Sequence, residues 1–285
     1  MTQRSADLLL LTVIAARGTS YLLAKIGLGG IPPLELLAVR FFLTTLILCL
    51  IFHKRLGQMT KGLLKAAAGL GAFLFACMAC EIISLTMIAS STAAFLENTS
   101  SLWVLLLAAI ACRRWPQKHI IAAAVLLIIG IALLTLHGSR LNLAPGELIC
   151  LAGSVFYAFW ILFTARLARQ HDPLLLGIVQ MGFLALYSAV STAVFETPLV
   201  PTDGTTWGAI LALVFICSVF GFTFQPVAQK YTTAEKAGLF TAFNPLIASC
   251  LGFLFLGETF STAQLAGAAA IIVGLVLAAK KGTAA

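Results

Sequence analysis

Ten stretches of about 20 mostly apolar residues succeed one another along this 285-residue chain, each bounded by Gly, Pro or charged residues. A hydrocarbon core about 30 Å thick is crossed by roughly 20 helical residues, so each stretch reads as a membrane-spanning helix. The predicted spans are 6–28, 33–52, 65–88, 91–112, 118–137, 146–167, 174–195, 206–229, 234–256 and 262–280. Lipid offers nothing to an unpaired backbone amide, and so the fold class is all-α, a polytopic membrane protein. With 61% of residues hydrophobic and 10% charged, readings as a soluble domain, a disordered chain or a disulfide scaffold are excluded. The first stretch has no convincing cleavage site and resembles the nine after it, which marks it as a retained helix.

The net charge of +8 reads as topology rather than nucleic-acid binding. Placing the N-terminus in the cytoplasm puts Arg4, Lys54, Arg55, Lys61, Lys65, Arg113, Arg114, Lys118, Arg166, Arg169, Lys230, Lys236, Lys280 and Lys281 inside. Only Lys25 and Arg140 fall outside, while Arg17 and Arg40 lie within spans. Fourteen cations against two predict that both termini are cytoplasmic in a cell inner membrane.

Shifting the chain by 144 positions pairs Ser84–Leu134 with Ala228–Ala278 without a gap, and the span boundaries coincide as well. The expected organisation is one five-helix repeat over 1–141 and a second over 142–285, integrated in one membrane domain. Five is odd, so the second copy enters the membrane from the opposite side. Inverted repeats of this kind underlie alternating access in secondary transporters.

Certain local motifs now bear on family. They are Arg17-Gly18-Thr19-Ser20-Tyr21 with Lys25, Pro32-Pro33 followed by Ala38-Val39-Arg40-Phe41, and Gln229-Lys230-Tyr231-Thr232-Thr233-Ala234. Further along stand Asn244-Pro245-Leu246, Leu256-Gly257-Glu258, Gly267 and Gly274. In this order, on ten spans, the chain resembles the drug/metabolite transporter superfamily, EamA type. Arg17 stands where that family usually has Trp, and Ser100-Ser101 replace a proline expected in the fourth span. The resemblance implies a secondary carrier of small organic molecules such as amino acids or amines, with export favoured. No G-x-x-x-x-G-K-[ST] loop is present, so a gradient is the expected driving force.

Ionisable groups inside a bilayer are costly and mark function by default. Arg17 is expected near the midplane, Glu97 and Arg40 at similar depth, and Glu81 nearer the outer mouth. Under the repeat Glu97 corresponds to Thr241 and Glu81 to Gln225, while the proline turns pair Arg40 with Gln180. The sixth span carries Ser154, Tyr157, Trp160 or Ile161, and Thr164 at helical spacing on one face. An aromatic wall opposite carboxylates suits a cationic or zwitterionic ligand.

The candidate substrate-binding residues are Glu97, Arg17, Arg40, Tyr157, Trp160, Gln180 and Thr241, together with Tyr21 and Asn244 from the family-like stretches. Glu97 and Glu81 are the candidates for proton coupling. Plainer readings stand beside these: an Arg40–Glu97 structural ion pair, a mouth carboxylate at Glu81, and core packing for the aromatics and for Cys77 and Cys80. No nucleophile, metal or cofactor motif is visible. The expected partners are a small-molecule substrate and the lipid bilayer. Gly267, Gly274 and Ala122–Ala124 suit close helix packing within the chain or in a homodimer. A membrane-embedded lipid-modifying enzyme and a passive channel remain as alternatives.

Overall fold

The computed structural model describes residues 3–111, 118–134, 136–137, 140–141, 143–231, 240 and 243–279. Among the described residues six helical spans are long and apolar enough to cross a membrane: Ser5–Gly27, Pro33–Ile51, Lys61–Leu85, Pro145–Leu167, Pro173–Phe195 and Gly204–Gln229. Shorter apolar helices accompany them, including Ser100–Ala111, Lys118–Leu134, Phe243–Leu256 and Thr262–Ala279. A two-residue antiparallel pair, Leu136–His137 with Arg140–Leu141, lies between the two halves of the chain.

Helix starts follow local chemistry. Pro33, Pro145 and Pro173 occupy first helical positions, where a missing N–H costs nothing. The Asp172 carboxylate accepts from the amides of Leu174 and Leu175, and Thr60 Oγ1 accepts from Leu63 N.

The burial pattern is that of a protein dissolved in lipid. Large apolar side chains point outward, among them Leu50 at 68% exposure and Phe195 at 76%, while Arg40, Glu97 and Gln180 are buried. Three helix pairs frame the bundle: Pro33–Ile51 on Pro173–Phe195, Lys61–Leu85 on Pro145–Leu167, and Lys118–Leu134 on Thr262–Ala279. At the last crossing a Cβ on Gly130 would lie 2.6 Å from Ile271 Cγ1 and 2.8 Å from Gly267 O. The small residues anticipated for close packing are therefore used inside the chain.

Three spans that read as uniform in sequence are broken. The first divides at Thr19 into Gln3–Gly18 and Ser20–Gly27, and the fourth at Asn98–Thr99 into Ser90–Glu97 and Ser100–Ala111. The Thr19 and Thr99 hydroxyls donate to the carbonyls of Ala16 and Leu96, both at 2.7 Å, supplying local partners where the helix is interrupted. The eighth span passes through a π-helical stretch, Leu213–Phe222, ahead of Pro226. Interruptions at membrane depth are tolerated where they line a buried centre rather than lipid.

Candidate binding site

The breaks converge on a narrow cavity of about 10 Å³ lined by Arg17, Ser20, Tyr21, Glu81, Phe222 and Asn244. That is room for a single water molecule and for no organic ligand. Arg17 ends the first half-helix and Glu97 ends another, so the discontinuities deliver both charges to the middle.

Tyr21 donates its hydroxyl proton to Glu97 Oε2 at 2.8 Å, and Cys77 Sγ lies 3.7 Å from Glu97 Oε1. Arg17 donates to the Tyr157 hydroxyl and, at 2.8 Å, to Gln225 Oε1. Its guanidinium carbon sits 4.0 Å from the Phe222 ring centroid and 4.9 Å from that of Tyr157. Arg40 donates through Nε to Ser218 Oγ at 2.8 Å and through Nη1 to Ser20 Oγ at 3.4 Å. The expected Arg40–Glu97 pair is thus replaced by hydroxyl partners on both sides, because Ser218 of the π-helical stretch and Ser20 reach Arg40 first.

The aromatic wall is present: Tyr157 and Trp160 stack at 5.5 Å, and Trp160 meets Phe222 edge-on at 6.0 Å. Its surface is not open to a ligand, since the guanidinium of Arg17 covers Tyr157 and Phe222. Trp160 Nε1 donates to Gln180 Oε1 at 3.1 Å. Ser154, Ile161 and Thr164 are buried on the same helix. Trp103 Nε1 donates to Ser154 Oγ at 3.1 Å, and the residue remains 36% exposed.

Glu81 is a correction. The plainer reading made it a carboxylate solvated at the mouth, yet it is 6% exposed and lines the central cavity. The reason is geometric. Glu81 lies four residues before the helix end at Leu85 and Glu97 seven residues after the start at Ser90. Their depths below that shared end therefore differ by only about 5 Å, which side chains bridge. Cys77, one turn before Glu81, contacts Glu97, which puts Glu81 on the same face. Thr241 lies outside the described residues. Asn244 lines the cavity, and its Oδ1 has no hydrogen-bond partner among the described residues; the same holds for Arg40 Nη2, Gln180 Nε2 and Gln225 Nε2.

Phe222, Ser218, Ser20 and Cys77 were not among the candidate residues. Ser20 had a sequence signal in standing three residues from Arg17, and Cys77 in standing one turn before Glu81, but Ser218 had none. Phe222 carried none, because one Phe among 20 has no distinguishing context.

One end of the bundle is held by carboxylates. Glu258 accepts from the amide and hydroxyl of Ser90 at 2.7 Å each and from those of Ser91, capping the Ser90–Glu97 helix. Glu196 accepts from Leu34 N at 2.9 Å and Glu35 N at 2.8 Å, capping Pro33–Ile51. Lys25 closes the opposite kind of terminus, donating to the carbonyls of Leu85 and Ile88. At the other end the Arg55–Asp172 ion pair spans 3.4 Å with exposures of 52% and 37%, an arrangement worth about 0–1 kcal/mol.

Glu258, of the Leu256-Gly257-Glu258 stretch, is half-buried and engaged. Burial opposes its ionisation, but the donors of Ser91 and Ser90 outweigh burial and hold the carboxyl below the usual carboxylate range. A depressed folded value means that this stabilisation is complete above the ordinary glutamate pKa of about 4.3 and is lost as pH falls through the folded value. Glu258→Gln should lower the apparent Tm in detergent at pH 7 and change it little at a pH of about 3. Equal losses at both pH values would show that charge is not what caps the helix.

Comparison with known proteins accords with this architecture. The EamA-like transporter family model matches the chain twice, over residues 4–136 and 144–280. A probable amino-acid metabolite efflux pump of Salmonella typhimurium is 26% identical over 291 residues, covering 96% of this chain and 94% of that protein. An uncharacterized transporter of Bacillus subtilis is 24% identical over 277 residues, covering 92% and 89%. A solved crystal structure superposes with a TM-score of 0.70 and 22% identity over 96% of each chain, a likeness of fold alone. Since both halves match one family and only a few residues lie outside the matches, the chain belongs to the EamA-like transporter family of polytopic membrane proteins.

Proposed function

We propose that this protein is a secondary active transporter that exports a small zwitterionic or cationic metabolite, an amino acid or an amine, by alternating access across the inner membrane. The observation that carries the reading is the narrow buried cavity between Arg17, Tyr21, Glu81, Phe222 and Asn244. Charged groups are held there at bundle depth with unpartnered polar atoms beside them. Two matches to one family model, each over about half of the chain, support two inverted repeats at 1–141 and 142–285 with ten spans. The relative named as a probable amino-acid metabolite efflux pump supports the substrate class and the direction.

In this reading the end capped by Glu258 and Glu196 faces outward and is closed, and the end held by the exposed Arg55–Asp172 pair opens first, toward the cytoplasm. Arg40 faces the substrate carboxylate, and Glu97 with Glu81 couples its passage to protons.

Counterflow in proteoliposomes loaded with labelled amino acids should saturate with concentration; flux that rises linearly would favour a pore. Reporter tags at the two termini should both be cytoplasmic, and tags near Arg140 and Asp203 external. A periplasmic C-terminus would overturn the ten-span topology.

A further inference from the structure

Arg17 occupies the place where a ligand cation would be expected. Its guanidinium lies against the rings of Phe222 and Tyr157 and is held by the Tyr157 hydroxyl and Gln225 Oε1. Ring faces with neutral oxygen acceptors form a box that suits a desolvated guanidinium or ammonium. Gly221 makes room for the stem, since a Cβ there would lie 2.8 Å from Arg17 Cγ.

A second berth adjoins the first. The cavity beside Arg17 is bounded by Glu81 and by Asn244, whose buried Oδ1 has no donor among the described residues. An arginine side chain spans this distance by rotating its outer torsions, exchanging ring and amide partners for a carboxylate and the free Asn244 oxygen.

We propose that Arg17 is a resident stand-in for the cationic group of the substrate. The box of Tyr157, Phe222 and Gln225 takes a guanidinium or primary ammonium from the ligand, Arg17 moves to Glu81 and Asn244 as the ligand enters, and it returns when the ligand leaves. This rests on the transporter reading above and adds the ligand group and the means by which an empty carrier closes. A carrier that reorients unloaded has to bury its vacant site, and an empty polar box beside carboxylates is costly at membrane depth. Arg17 removes that cost, so the empty protein can close and return. The substrate then competes with Arg17, and its apparent affinity falls by the fraction of time that the box is vacant.

The test uses purified full-length protein and methylguanidinium as probe, read by the fluorescence of Trp160, which stacks on Tyr157 and touches Phe222. Trp160→Phe identifies that signal. Arg17→Ala should bind methylguanidinium at least about 10-fold more tightly than wild type, whereas Arg17→Lys, which keeps a resident cation, should stay within about threefold.

In proteoliposomes loaded with labelled arginine or agmatine, Arg17→Ala should reduce net efflux at least about tenfold more than it reduces exchange, because only net efflux requires the empty carrier to return. If Arg17→Ala does not fold, Arg17→Met, which keeps the stem against Gly221 but carries no cation, should tighten methylguanidinium binding in the same way. Unchanged methylguanidinium affinity in these variants, or net efflux and exchange falling together, would overturn the proposal. Wild-type liposomes that carry neither arginine nor agmatine would count against the substrate class and the transporter reading, while the binding measurement judges Arg17 independently.

Discussion

Replacing Glu97 by Gln is expected to cut transport by about 10- to 150-fold while leaving the fold intact. Gln preserves volume and can still accept from Tyr21 Oη, so the contact seen at 2.8 Å persists in a neutral form. The charge is lost, and a hydrogen bond to a charged group is worth about 1.5–3 kcal/mol, which converts to that range of rates or affinities. The proposed coupling role makes a second demand: the dependence of flux on pH should flatten in the variant. Glu81→Gln is expected to act in the same direction, because both carboxyls belong to one centre. Flux in proteoliposomes measured across pH for wild type and both variants decides the matter. A proton dependence that survives Glu97→Gln unchanged would remove this residue from coupling, and a flux within twofold of wild type would remove it from the site.

Gly177→Ala should be the most damaging small substitution in the bundle. Gly177 lies in the first turns of Pro173–Phe195, where a Cβ would fall 2.3 Å from Thr223 O and 3.2 Å from Thr223 C. Both obstructing atoms are backbone, so one helix has to move away from the other. Overpacking of this kind costs about 2–3 kcal/mol, which lowers the apparent Tm by on the order of 5–10 °C. The moving segment carries Phe222 and Gln225, so substrate binding should weaken along with stability. Gly69→Ala, in a helix where no atom lies within 4 Å of the new Cβ, should leave Tm unchanged or raise it slightly, since Ala favours helix by about 1 kcal/mol. Equal Tm values for the two variants in detergent would contradict the close approach at Thr223.

What sequence alone determined is the bundle of apolar helices, because the solvent dictates it. Lipid leaves the backbone no partner but itself, so apolar length and the punctuation of Pro, Gly and charge translate directly into helices. Spans read as 33–52, 146–167 and 174–195 appear as Pro33–Ile51, Pro145–Leu167 and Pro173–Phe195. The family-like motifs were equally legible, and the chain belongs to the family they suggested. Burial of Arg17, Arg40, Glu97 and Tyr157 likewise followed from charge or aromatic character at the middle of a span.

Tertiary structure alone decided which of these groups meet. Arg17 and Gln225 are 208 positions apart and Arg40 and Ser218 are 178 apart, and hydrogen-bond partners at such separation depend on helix rotation and crossing, which no local pattern encodes. The breaks at Thr19 and Asn98–Thr99 had a faint signal in polar residues within apolar spans, but only the packed bundle shows that they bring charge to one point. Glu81 was misplaced for the same reason. Its depth counted along one helix suggested a solvated mouth, whereas the neighbouring half-helix brings Glu97 against Cys77, one turn before Glu81, and the cavity that Glu81 lines is closed in by Arg17, Tyr21 and Phe222. The aromatic wall was readable from spacing on one helix; that Arg17 lies across it was not, since cation and rings come from opposite halves of the chain and meet only after the halves have packed.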